Sequence, residues 1–174
     1  MVAFVAAVVA GCGGASTSNV QQQQSPSPNQ LACTAGGPAS STWPQPSNRV
    51  NTTPPIVAAS AAGDTLTLTF DRGTPEFELK PQSSARFTRT DGRGEAVDLA
   101  GSAGVLIVLR GFRGDMQNYS GTTDLKPNAP TLIEVREIGD YEGVVGWAAG
   151  LNAPACASVT VGPSTLTFHF IRTG

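Results

Sequence analysis

The chain has 174 residues, with 11 lysines and arginines, 13 aspartates and glutamates and one histidine available for acid–base or ionic chemistry. His169 sits in Thr165–Ile171 (TLTFHFI), whose alternation turns it away from Phe168 and Phe170. A general base needs a nucleophile and an orienting partner in reach. The chain has no Gly-x-Ser-x-Gly elbow, and no Ser or Cys in a nucleophile context. His169 therefore reads as a part-exposed strand histidine. Two carboxylate pairs remain. Glu76 and Glu78 share a strand face, as do Asp140 and Glu142 if that segment is extended. Such spacing gives about 6.5–7 Å, within the roughly 5–9 Å that a glycosidase uses. Any solvated strand face gives the same distance, so no catalytic residue is expected and the protein reads as a non-enzyme.

Binding is the next possibility. Asp140-Tyr141-Glu142-Gly143, with Trp147 close behind, admits two readings. One is a polar and aromatic contact surface for a sugar or peptide. The other, which we favour, is a tight connection: Gly139-Asp140 turns, Gly143 relieves the backbone, and Tyr141 and Trp147 fill the core. Arg86, Arg89 and Arg93 flank one hairpin, while Arg110 and Arg113 flank a long loop. Arginines in such places can hold acidic groups of a polymer through paired hydrogen bonds. Interspersed Asp91, Glu95 and Asp115 favour a mixed solvated surface instead. Asp140, Tyr141, Glu142, Trp147, Arg110 and Arg113 are the candidate ligand contacts. There is no CxxC and no Cys/His cluster, so neither metal nor cofactor is expected. A net charge of −2 and a pI near 5.3 argue against nucleic acid as a partner.

The cysteines carry a different chemistry. Val2–Ala10 is an unbroken apolar run, too short for a bilayer span of about 20 residues. It fits a signal h-region. It ends in Val9-Ala10-Gly11-Cys12, which resembles the lipobox of bacterial lipoproteins. The expectation is that residues 1–11 are removed and that Cys12 takes a diacylglycerol, with acyl chains such as palmitate. Two or more chains anchor stably where one does not. The basic n-region is missing, which points to a start upstream of Met1. If Cys12 is lipidated, Cys33 and Cys156 remain, and an even pair in an exported protein reads as a disulfide. Closing so long a loop would contribute about 5 kcal/mol.

Residues 1–48 contain no Asp, Glu, Lys or Arg, and Asn19–Asn29 (NVQQQQSPSPN) is low in complexity. Such a tract cannot bury enough apolar surface to offset its ordering entropy. Residues 12–31 thus read as lipidated Cys and disordered linker. A coil over 13–31 would span about 25 Å r.m.s. and about 65 Å when stretched. The expected location is the extracytoplasmic face of the cell membrane.

Strand-like runs follow from about residue 56. Thr65–Phe70 alternates, with Leu66, Leu68 and Phe70 on one face, and Glu76–Lys80 places Phe77 and Leu79 inward. Asp71–Pro75 is a turn, and Asp91-Gly92 closes a hairpin after Ala85–Thr90. Val105–Leu109 is a continuous apolar run, expected as a central strand. Thr131–Ile138, Gly143–Leu151, Ser158–Val161 and Thr165–Ile171 complete the set, and 111–130 is a long surface loop of the kind where binding often occurs. No sustained helical stripe appears. The expected fold is all-β: a single β-sandwich of mainly antiparallel strands over 32–174, present as a monomer.

Several blocks of this region resemble the AMIN-like domain of actinobacterial lipoproteins. Gly94–Gly101 (GEAVDLAG) is one and Ile138–Val145 (IGDYEGVV) another. Gly150-Leu151, Asn118–Gly121, Pro127 with Pro130, and Trp43 shortly after Cys33 are similar too, and along the chain the blocks come in the family's order. The resemblance covers about 31–174 and implies an AMIN-like β-sandwich. AMIN domains direct their hosts to the envelope, in part by binding peptidoglycan. The implied function is a non-catalytic lipoprotein that binds a wall component or an envelope protein. The alternative is a carrier or sensor of a small apolar or lipid ligand held inside the sandwich.

Overall fold

The structure, a computed structural model, describes residues 55–111 and 119–173, together with the backbone of 33–34, 37–38 and 41–42. Cys12, the segments 1–11 and 12–31, Trp43 and Arg113 lie outside the described residues.

All described regular structure is strand, and every pairing is antiparallel. Three short pieces, β1 (Cys33–Thr34), β2 (Gly37–Pro38) and β3 (Ser41–Thr42), precede β4 (Ile56–Ala62) and β5 (Thr65–Phe70). Then come β6 (Glu76–Gln82), β7 (Arg86–Thr88), β8 (Ala96–Asp98) and β9 (Ala103–Arg110). The chain continues through β10 (Asp124–Leu125), β11 (Leu132–Tyr141), β12 (Val144–Leu151), β13 (Ala155–Val161) and β14 (Thr165–Arg172). A larger sheet runs β10-β11-β12-β9-β6-β3 and a smaller one β13-β14-β5-β4. The turn expected at Asp71–Pro75 is present, and it carries the chain from the smaller sheet to the larger.

Alternation builds the interior. Leu66, Leu68 and Phe70 of β5 and Leu166, Phe168 and Phe170 of β14 point from the smaller sheet. They meet Phe77, Ile107, Leu109, Val145, Trp147 and Ala149 from the larger. The Phe77 and Phe168 rings meet edge to face, with centroids 5.9 Å apart, a favoured aromatic geometry. The chain is thus a β-sandwich, as its alternation predicts. The apolar run in β9 is central, with β12 on one side and β6 on the other.

The larger sheet also buries part of its other face. The β7–β8 hairpin lies over it, enclosing a small second core of Ala85, Phe87, Leu99, Ile138 and Ala148. Glycines allow this close approach. A Cβ on Gly146 would overlap Thr90 Oγ1, and one on Gly150 would overlap the Ala100 carbonyl. The Gly-rich composition of Gly143–Leu151 is therefore a landing strip for the hairpin. Glu134, 4 % exposed, holds the next stretch down by accepting the Ala100 N–H at 2.8 Å.

Candidate functional site

The tip of the β7–β8 hairpin meets the β10–β11 edge of the larger sheet. Between them lies an open cleft of about 670 Å³. Arg89, Asp91 and Arg93 line it from the hairpin, Thr123 and Asp124 from the β10 side, and Arg136, Glu137, Gly139 and Asp140 from β11.

Backbone geometry aims these side chains. Thr90 ties the hairpin to β11 by donating its N–H to the Ile138 carbonyl at 3.2 Å and its hydroxyl to the Gly139 carbonyl at 3.1 Å. The β11–β12 ladder shifts register between Glu137 and Gly139. A bulge of this kind adds a residue to one strand and redirects its side chains. It brings Glu137 and Asp140 to the same cleft.

Charge is paired on both walls. Arg89 Nε lies 2.6 Å from Asp91 Oδ2, and Arg93 donates its backbone N–H to Asp91 Oδ1 at 3.2 Å. The Arg89 hydrogen bond outweighs the effect of burial and holds Asp91 below the usual carboxylate range, and Asp91 in turn raises Arg89. Opposite, Arg136 pairs with Glu134 and lies 3.4 Å from Asp124, which also has Lys126 at 3.6 Å. Glu137 differs. Burial, then the nearby Asp140 charge, push its carboxyl up to about 7, although Arg89 pulls the other way. The cleft can therefore bind ionic groups, and it holds one carboxyl that exchanges its proton near neutral pH.

The candidates from sequence separate. Asp140 lines the cleft. Tyr141 is 46 % exposed and stands beside the hairpin turn, where a Cβ on Gly92 would come 4.0 Å from its ring. This corrects the expectation that Tyr141 fills the core. The turn is also corrected: the strand continues through Gly139 and Asp140, and Glu142-Gly143 make the hairpin turn, with φ of 51° and 78°. Two positive φ values in succession match the type I′ turn of two-residue hairpins. Glu142 is exposed in that turn. Trp147 is 0 % exposed and packs in the main core against Tyr119, so it offers no surface to a ligand. Arg110 ends β9 and pairs with Glu78 at 3.5 Å, away from the cleft lining. His169 is exposed on β14, its Nδ1 3.0 Å from Thr65 Oγ1.

Sequence reasoning named Arg89, Arg93 and Asp91 but not Arg136, Glu137 or Asp124. One signal was available. Arg136 and Glu137 are adjacent charges that break the two-residue period of Thr131–Ile138, as a bulge does. The long loop before β11 also contributes, through Thr123 and Asp124. Compared with known proteins, the chain matches no family model, no curated protein and no solved structure.

Proposed function

We propose that the chain is a membrane-anchored envelope lipoprotein of AMIN-like type. In this reading its β-sandwich binds a wall component, peptidoglycan, or an envelope protein, without catalysing a reaction. Cys12 carries the anchor, and Cys33 and Cys156 form a disulfide. The observation that carries the binding role is the open cleft, whose walls present both arginines and carboxyls. Peptidoglycan stem peptides carry carboxylates and amines, so a mixed lining is complementary to them. The carrier alternative draws no support from this cleft, since its lining is charged rather than apolar.

A pull-down tests the reading. A C12S chain, which cannot be lipidated, is mixed with purified peptidoglycan over a range of salt. Retention that weakens with R89A or R136A is expected. No retention under any condition would remove the wall-binding version and leave the envelope-protein one. Mass spectrometry of the mature amino terminus tests the anchor: an unmodified Cys12 refutes it. Thiol counting in denaturant tests the disulfide, since Cys156 is buried; free thiols at both Cys33 and Cys156 would rule it out.

A further inference from the structure

β4 (Ile56–Ala62) ends the smaller sheet on one side, and among the described residues it pairs with β5 alone. The other edges of the two sheets are blunted: β3 and β10 have two residues each, and β13 is largely buried. β4 has seven residues, most of them exposed or part-exposed, with no charge and no proline to discourage a further strand. Its ladder fixes which backbone groups point outward. The Phe70 N–H donates to the Ser164 carbonyl on the β14 side, so Thr65, Thr67 and Thr69 turn their backbone groups to β4. Their partners Ala62, Ser60 and Ala58 answer them, which leaves Ala59 and Ala61 with N–H and carbonyl directed out of the sheet. The Ala59 N–H shows this directly, since it donates to the Tyr119 hydroxyl at 3.2 Å. Among the described residues, no hydrogen bond reaches the outward Ala61 N–H.

We propose that the β4 edge is an interface with a second copy of this chain, formed by antiparallel pairing of β4 with the partner's β4. The protein is then a two-fold dimer in place of the monomer that its sequence suggests. Strand irregularities set the register. The ladder with β5 shifts between Ile56 and Ala58, and the turn begins at Gly63, where φ is 54°. The regular stretch is therefore Ala58–Ala62, and its centre is Ser60. A two-fold axis at Ser60 sets Ala59 against the partner's Ala61 and Ala61 against the partner's Ala59, which uses the outward N–H and carbonyl of each. The side chains select the occupant. An added strand meets Ala58, Ser60 and Ala62 on the outer face, and Ala59 and Ala61, which pack against the main core, on the inner. All are small and uncharged, and Thr65, Thr67 and Thr69 continue the uncharged face on β5. Nothing there favours a charged peptide, and nothing obstructs an identical strand about 4.8 Å away. A Cβ on Gly63 would meet nothing within 4 Å, so the turn leaves room for the end of the partner's strand.

Tyr119 holds the place of one partner atom. Its hydroxyl accepts the Ala59 N–H and donates to the Thr122 carbonyl at 3.1 Å. On pairing, the carbonyl of the partner's Ala61 takes that N–H, and one acceptor is exchanged for another. The net gain comes from the groups of Ala61, which gain protein partners in place of water. One strand per copy is a small interface, so the association is weak and depends on concentration. None of its residues lines the cleft, and it does not depend on what the cleft binds.

Cross-linking tests both the pairing and its register. C12S chains carrying S60C or A62C are oxidised at micromolar to millimolar concentration and separated without reductant, beside the C12S chain itself. Ser60 and Ala62 are both exposed on the same face. In the paired strands Ser60 faces the partner's Ser60 with Cα atoms about 4.5 Å apart, within disulfide reach. Ala62 lies about 14 Å from the partner's Ala62, beyond it. The expected result is a covalent dimer from S60C, several-fold more than from A62C, and none from the C12S chain. Adding A61P should abolish it, because proline removes the outward N–H and leaves the β5 ladder in place. Y119F should increase it by freeing the Ala59 N–H. Sedimentation of the C12S chain, which needs no change in β4, should show a monomer–dimer equilibrium over the same range. Equal yields from S60C and A62C, or a monomer at every concentration, overturn the proposal and leave the wall-binding reading as it stands.

Discussion

Asp64 and Leu132 are joined across the sandwich: the Asp64 carboxylate accepts the Leu132 N–H at Oδ1, 2.8 Å away. The same oxygen accepts the Thr131 N–H at 2.7 Å. Asp64 lies in the β4–β5 turn of the smaller sheet, and Leu132 opens β11 of the larger, so one side chain fastens the two layers. Burial acts to raise the Asp64 carboxyl, but the N–H groups of Leu132 and Thr131 outweigh it and the net shift is downward. The folded value thus lies below the unfolded one. Its contribution is complete above about pH 4 and fades as pH falls through the folded value. Asp64→Ala is expected to cost about 1–3 kcal/mol at pH 7, read by urea denaturation. The gap to the unaltered chain should shrink as pH falls below the ordinary carboxylate range. D64N keeps an acceptor and should lose less.

The interior makes a simpler prediction. Phe168 is buried between the sheets, its ring edge to face with Phe77. Phe168→Ala leaves a cavity that rigid strands cannot close, and about 3–5 kcal/mol of stability should go with it. A loss under about 1 kcal/mol would mean that the sheets collapse onto the gap.

The hairpin's seat predicts an order of severity between two glycines. An added methyl at Gly150 meets backbone, the Ala100 carbonyl, whereas one at Gly146 meets the short Thr90 side chain. Backbone held by Glu134 cannot yield, while the Thr90 side chain can draw back with the hairpin tip at the loss of its bond to the Gly139 carbonyl. G150A is expected to cost more than G146A, within the roughly 1–3 kcal/mol typical of overpacking. The comparison is made on denaturation midpoints, and the reverse order would show that the stretch around Ala100 moves freely.

These positions also mark what could be read from sequence. Alternation at Leu66, Leu68 and Phe70, and the continuous run in β9, gave the layers because burial of one or both faces leaves a direct pattern along the chain. The cleft was harder. Its walls come from segments far apart in sequence, and only the bulge brings Glu137 and Asp140 together. A bulge breaks alternation, so in sequence Gly139-Asp140 looks like a turn rather than part of a strand. Trp147 was legible as core, since its strand neighbours Val145 and Ala149 share its inward face. Tyr141, two residues past the bulge, could not be placed by counting.

Glu137 gives the sharpest dependence on pH. Its folded value of about 7 lies above its ordinary 4.5. The folded chain therefore holds this proton more tightly than the unfolded one. Stability should fall as pH rises from about 4.5 to 7 and then level off. Glu137→Gln has a side chain of the same shape that cannot ionise. It should match the unaltered chain near pH 4 and exceed it at pH 8. Subtracting the two profiles isolates Glu137 together with its coupling to Asp140. If E137Q is instead less stable at pH 8, the carboxylate is held there by a favourable partner.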